Sequence, residues 1–146
     1  ILTAPFPSEM KDILNSRVKF RETFRPFAPA VLSEFTNDYF DISQSSPHML
    51  IAVTVKKEKI SEIPAVVHVD NSARVQTVDK TTNPLFRNLL ESFNKESGCP
   101  VLLNTSFNVK GQPIVNTPRD AIDCFLSTNI DTLVIGSFIV EKNDNK

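Results

Sequence analysis

The chain has 146 residues, 16 basic and 17 acidic, with a net charge of −1. That length supports one domain with a real core, and a composition of 40% hydrophobic and 23% charged residues is ordinary for a globular protein. Near-neutral charge argues against a nonspecific grip on nucleic acid, apolar runs such as residues 49–53 are far too short to span a membrane, and no signal peptide is visible.

In chain order, Ser8 is expected to cap a short helix over residues 9–18, where Met10, Ile13, Leu14 and Val18 recur at helical spacing. Residues 24–32 carry two prolines, which forbid a helix interior and predict an extended edge segment. Residues 49–55 read as a strand. Residues 65–70 and 73–79 read as a hairpin turning at Asp70, Asn71 and Ser72. In its second strand Ala73, Val75 and Thr77 point one way, and Arg74, Gln76 and Val78 the other. Asn83 and Pro84 open a helix whose apolar face is Leu85, Phe86, Leu89, Leu90 and Phe93, with Gly98 as its stop. Residues 101–103 form a buried strand. Thr117 caps a second helix with Ile122, Phe125 and Leu126 inward, and residues 131–140 form a last buried strand with a bulge at Gly136. Helices alternate with strands only in the second half, so the expected fold is a mixed α/β (α+β) sheet in one domain.

Two stretches carry candidate chemistry. After residues 101–103 the chain breaks into Asn104-Thr-Ser-Phe-Asn108, a set of donors and acceptors where ligands of open α/β sheets sit. Such residues also make plain turns, so this stretch alone leaves both readings open. In residues 17–25, Arg17, Lys19, Arg21 and Arg25 stand at odd positions. An extended chain would present them on one face, with Phe20 and Phe24 on the other. Such a strip suits phosphate, and equally a solvated edge strand; aromatics between basics also suit single-stranded nucleic acid, which the near-neutral charge disfavours.

Only three glycines are present, which excludes a P-loop or dinucleotide fingerprint, so any phosphate must be held by side chains. Arg74 is a further cation, and His68 is favoured as a core histidine. Cys99 and Cys124, with two histidines, complete no zinc set; no metal ligands are expected, and reduced thiols fit a cytoplasmic protein. Cations and hydroxyls without a nucleophile signature suit transfer between phosphorylated partners.

Three blocks then resemble a known family: Val18-Lys-Phe-Arg-Glu-Thr-Phe-Arg-Pro-Phe-Ala-Pro29, His68-Val-Asp-Asn-Ser-Ala-Arg-Val-Gln-Thr-Val78 and Leu103-Asn-Thr-Ser-Phe-Asn-Val109. They are similar to the C-terminal domain of the NodU/CmcH-type O-carbamoyltransferases. The resemblance spans residues 1–142 and leaves 143–146 as a polar tail. It implies a YrdC-like fold, a twisted mixed sheet flanked by helices. It also implies an enzyme domain that forms carbamoyl adenylate from carbamoyl phosphate and Mg2+-bound ATP, with the metal arriving as part of the substrate. An N-terminal actin-like, sugar-kinase-like domain is expected to pass the carbamoyl group to a hydroxyl acceptor of sugar, nodulation-factor or antibiotic type. A chain beginning at Ile1 is expected to be processed or excised from a longer protein, without that domain and the arginine-bearing segment before Ile1.

Carried over by resemblance, Lys19 and Arg25 match phosphate-site cations, and Arg74 matches a further substrate-binding arginine. Asn104 and Ser106 match residues that hold the carbamoyl or nucleotide part. Lys19, Arg25 and Arg74 are thus the expected catalytic cations, while Arg21, His68 and Asn108 receive no role. Asn71 stands where the family carries glycine, and it tolerates the turn conformation. The expected partners are the N-terminal domain of the same polypeptide and a homodimer through apolar surface left by that domain. The alternative reading is a non-catalytic nucleotide- or RNA-binding YrdC-like module.

Overall fold

The computed structural model describes residues 1–142; the expected polar tail at 143–146 lies outside them. The architecture is mixed α/β, as expected. Strands β1 (Leu2–Thr3), β2 (Ala28–Leu32), β5 (Gln76–Val78) and β6 (Val101–Asn104) form one sheet in the order β1-β6-β2-β5, in which only β2 and β5 run parallel. Strands β3 (Ala52–Thr54) and β4 (Ser72–Arg74) pair antiparallel, as do β7 (Thr132–Ile135) and β8 (Phe138–Glu141). The helices are α1 (Met10–Leu14), α2 (Thr36–Tyr39), α3 (Pro84–Ser97) and α4 (Pro118–Leu126). Among the described residues, 1–11 and 26–105 form one compact unit, and 12–25 and 106–142 another.

In the first unit, α3 folds where local signals put it. The Asn83 side chain accepts from the Phe86 N–H, Pro84 takes the first turn, and Gly98 closes the helix at φ 74°. Its inner face carries Leu90, with Phe86 and Phe93 against Ala30, Leu32, Val78 and Leu102 of the sheet. Asn83→Ala is expected to cost about 1 kcal/mol in a chemical denaturation curve, the usual value of a lost N-cap.

Two expected apolar positions, Leu85 and Leu89, are instead 84% and 50% exposed. The inner face includes a charge in their place. Buried Arg87 forks onto both oxygens of Glu34, donates from Nη1 to the Val78 carbonyl at 3.0 Å, and from Nε to Glu91 at 2.7 Å. Its guanidinium holds the Glu34 carboxyl down at about 2. A carboxylate depressed in the fold stabilises above its ordinary range and loses that contribution as pH falls through its folded value. Unfolding midpoints should therefore drop between about pH 4.5 and 2. Glu34→Gln should flatten that drop and cost about 1 kcal/mol at pH 7, because Glu34 is itself half-exposed and two other Arg87 acceptors stay in place.

Several expectations are corrected. The proline-bearing strand β2 is central and fully buried, not an edge. Pro29 fits because pairing with β5 begins only at Ala30, so Pro29 has one neighbouring strand, β6. The turn at residues 68–72 exists, closed by His68 N–H to the Ser72 carbonyl at 2.8 Å with Asn71 at φ 62°. Its outgoing strand β4 pairs with β3, because residues 64–66 wind into a 3-10 turn. The strand expected at 49–55 shrinks to β3, with Met49 at positive φ.

In the second unit, α4 carries the complete capping box of Thr117 and Asp120. It buries Ala121, Cys124 and Phe125, whereas Ile122 and Leu126 are exposed. Ala121, Phe125 and Leu133 make this unit's core, with Phe107, Ile130 and Ile135 against it. The last segment is a hairpin rather than one buried strand. Gly136, at φ 57°, is its turn, and β8 is exposed along its length.

Both cysteines are buried and free. Among the described residues, no helix is long and apolar enough to cross a membrane, and no three metal-ligating side chains gather.

Candidate functional site

The segment carrying Lys19 is not extended. After α1, residues Asn15–Lys19 wind into a π-helical turn, and Phe20 closes it in the left-handed conformation at φ 50°, ψ 48°. That conformation costs a non-glycine residue about 1–2 kcal/mol. Asn15 offsets it. Fully buried, it accepts from Arg21 Nε at 2.7 Å through Oδ1, and donates to the Thr23 and Arg25 carbonyls at 3.1 and 3.0 Å. The alternation expected from the sequence is therefore broken, with Arg17 and Arg25 exposed alongside both phenylalanines. The cation Lys19 is 3% exposed, while Phe20 and Phe24 are 50% and 75% exposed.

Lys19 Nζ meets the strand-end loop of the same unit. It donates to the Ser106 carbonyl at 2.8 Å, the Asn108 carbonyl at 2.7 Å and Asn108 Oδ1 at 2.7 Å, with Ser106 Oγ at 3.3 Å. An ammonium has three hydrogens, and three short acceptors take them. Asn108 is the knot of this loop: its Oδ1 also accepts from Ser106 Oγ at 2.7 Å, and its Nδ2 donates to the Gln112 carbonyl at 2.9 Å. The backbone N–H of Lys110 closes the ring onto the Lys19 carbonyl at 3.1 Å.

Electrostatically this corner is cationic. Burial, then the neighbouring Arg21 and Arg25, lower Lys19 to about 8. Arg21 is lowered by burial and by Arg25. Among the described residues no carboxylate bonds Lys19. Glu22, the acid nearest in sequence, faces Arg25 at 3.8 Å and Lys110 at 2.9 Å. Like charges held this close raise the local positive potential, which favours an anion. Arg25 is exposed, and Ser106 presents its hydroxyl at the surface beside Lys19.

In the other unit, Ala73, Val75 and Thr77 are buried as the alternation requires, and this turns Arg74 and Gln76 the opposite way. Arg74 is exposed at the end of β4, and its charge reaches His68, which burial and then Arg74 lower against the raising effect of Asp70. His68 Nδ1 lies 3.1 Å from Ser72 Oγ, within the turn that leads into β4. Asn104 ends the central strand β6, where its Nδ2 donates to Gln76 Oε1 at 2.8 Å. Lys19, Arg25 and Ser106 thus belong to one unit, and Arg74 and Asn104 to the other. Sequence patterning missed Asn15 and Gln76. Asn15 was visible only as a lone amide within an apolar helical repeat.

The family described as Carbamoyltransferase C-terminus matches residues 1–142. This chain belongs to that family. The carbamoyltransferase C-terminal chain is 44% identical over 162 residues to uncharacterized protein sll1178 of Synechocystis, covering 97% of this chain and 26% of that protein. It is 43% identical over 145 residues to nodulation protein NolO of Bradyrhizobium diazoefficiens, with the same shares of 97% and 26%. It is 39% identical over 136 residues to the 3'-hydroxymethylcephem-O-carbamoyltransferase of Streptomyces clavuligerus, covering 93% of this chain and 26% of that enzyme. The carbamoyltransferase C-terminal chain therefore spans about a quarter of the length of these relatives.

Proposed function

We propose that this chain is the carbamoyl-activating part of an O-carbamoyltransferase and forms carbamoyl adenylate from carbamoyl phosphate and Mg2+-bound ATP. The observation that carries the proposal is the Lys19, Arg21 and Arg25 cluster, a buried, a half-buried and an exposed cation close enough that the arginines lower Lys19 and Arg25 lowers Arg21, in a chain of the carbamoyltransferase C-terminal family. Both substrates are polyanions, and bringing them together requires their charges to be neutralised first. The YrdC-like topology belongs to this proposal as well.

The reaction balances with one water. Carbamoyl phosphate and water give carbamate and phosphate. A carbamate oxygen then attacks the α-phosphorus of ATP, the bond from that phosphorus to the bridging oxygen breaks, and pyrophosphate leaves with the electron pair. Arg25 and Arg74 are the exposed forks suited to phosphoryl oxygens. Lys19, with its hydrogens already committed, contributes mainly by its field and by holding the Ser106–Asn108 turn. Mg2+ arrives with ATP and screens its phosphates. Passage of the carbamoyl group to a hydroxyl acceptor is assigned to an N-terminal domain of the same polypeptide.

The test is pyrophosphate release from Mg2+-ATP by the purified chain, with and without carbamoyl phosphate. Release that depends on carbamoyl phosphate supports the proposal. Release independent of it contradicts carbamoyl adenylation.

A further inference from the structure

We infer that Gln76 is a positioning residue that keeps Asn104 Oδ1 free for a ligand, and that Asn104 thereby accepts from a planar –NH2 group. The inference rests on the proposed function and adds to it a residue and a recognition rule. An isolated asparagine amide can present either its oxygen or its nitrogen, and the two ends are nearly isosteric. Here a chain of polarity decides between them. The Pro47 carbonyl can only accept. The Gln76 end that faces it, at 3.3 Å, is therefore Nε2. The other end of Gln76 is then the acceptor Oε1, which takes a hydrogen from Asn104 Nδ2 at 2.8 Å. Asn104 Oδ1 is left over. Asn104 is half-buried at the end of β6, and no buried side-chain oxygen or nitrogen among the described residues lacks a partner. Oδ1 is therefore open to solvent as an acceptor.

Phosphoryl oxygens are acceptors too, so Asn104 Oδ1 repels them, and only the second hydrogen of Nδ2 is left for one. An N–H donor satisfies it. Two proposed substrates carry a planar –NH2 group, the carbamoyl end of carbamoyl phosphate and the adenine of ATP, and the experiment separates them.

Affinities of the folded chain are measured by calorimetry for carbamoyl phosphate against acetyl phosphate, which has a methyl in place of the amine. A second pair is ATP against ITP, in which an oxygen replaces the adenine amine. Wild type should prefer the amine-bearing member of one pair about tenfold, the value of one ordinary hydrogen bond. Gln76→Ala, which frees Asn104 to turn, should erase that preference while keeping affinity for the amine-free member. Gln76→Glu still accepts from Asn104 Nδ2, so it should weaken both members through its charge yet restore the ratio. A purely structural role for Gln76 would lower both affinities together and would not be rescued by glutamate. A preference that survives Gln76→Ala overturns the inference and leaves the proposed function standing. So does a wild type that binds all four compounds without preference. Failure of the folded chain to bind any of them overturns the proposed function together with the inference.

Discussion

Replacing Arg74 with alanine should reduce carbamoyl-phosphate-dependent pyrophosphate release by about 10²–10³-fold, the usual cost of removing one preorganised donor from a developing charge. Its stability should change little. Arg74 is exposed at the end of β4, whereas the neighbours that build the strand's buried side, Ala73 and Val75, are fully buried. Surface substitutions of this kind usually stay within about 0.5 kcal/mol. Arg74→Lys is the informative companion. It keeps the charge but loses the fork, so a partial recovery points to a bidentate phosphoryl contact. Full activity in Arg74→Ala would remove this residue from the site.

The second large effect is expected at Lys19. Lys19→Met removes the donor shared by the Ser106 carbonyl, the Asn108 carbonyl and Asn108 Oδ1. It leaves acceptors of a knotted, partly buried loop without their partner. The expected loss is about 2–4 kcal/mol of unfolding free energy, since each charge-assisted bond is worth about 1.5–3 kcal/mol and part of the loop regains water. Phosphate affinity should fall with it, because the Ser106–Asn108 turn is no longer held.

The wild type carries a pH signature of the same residue. Lys19 titrates near 8 in the fold, against 10.5 when free. Between those values the unfolded chain binds a proton that the folded chain does not, so the Lys19 contribution to stability rises with pH across that window. Below about 8 the charged form is buried at a cost that a bound anion relieves. Anion binding should therefore take up protons near pH 8, seen as a dependence of calorimetric heat on buffer ionisation enthalpy. Heats that do not vary with buffer would separate Lys19 from the anion site.

Much of the fold was legible because its signals are local. Asn83, Pro84 and Gly98 delimit α3, and Thr117 with Asp120 delimit α4, since each cap is a contact over three or four residues. The burial of β6 could be read from Val101 to Leu103 alone. What failed depends on partners distant in sequence. Pro29 looked like an edge residue, because nothing local says that pairing with β5 starts one residue later. The basic alternation at residues 17–25 presupposed an extended chain. Asn15 closes that chain into a turn through bonds spanning six to ten residues, which no period reveals. The strand-end residues Asn104 and Ser106 were visible by type and place. Their state was not, because it is set by Gln76, 28 residues away, and by Lys19, 87 residues away.

The most direct test of the account is calorimetric titration of the purified chain with Mg2+-ATP, in the presence and absence of carbamoyl phosphate, beside Arg74→Ala. The account predicts saturable binding that carbamoyl phosphate strengthens and Arg74→Ala abolishes. A chain that is folded by circular dichroism yet binds neither substrate would contradict it.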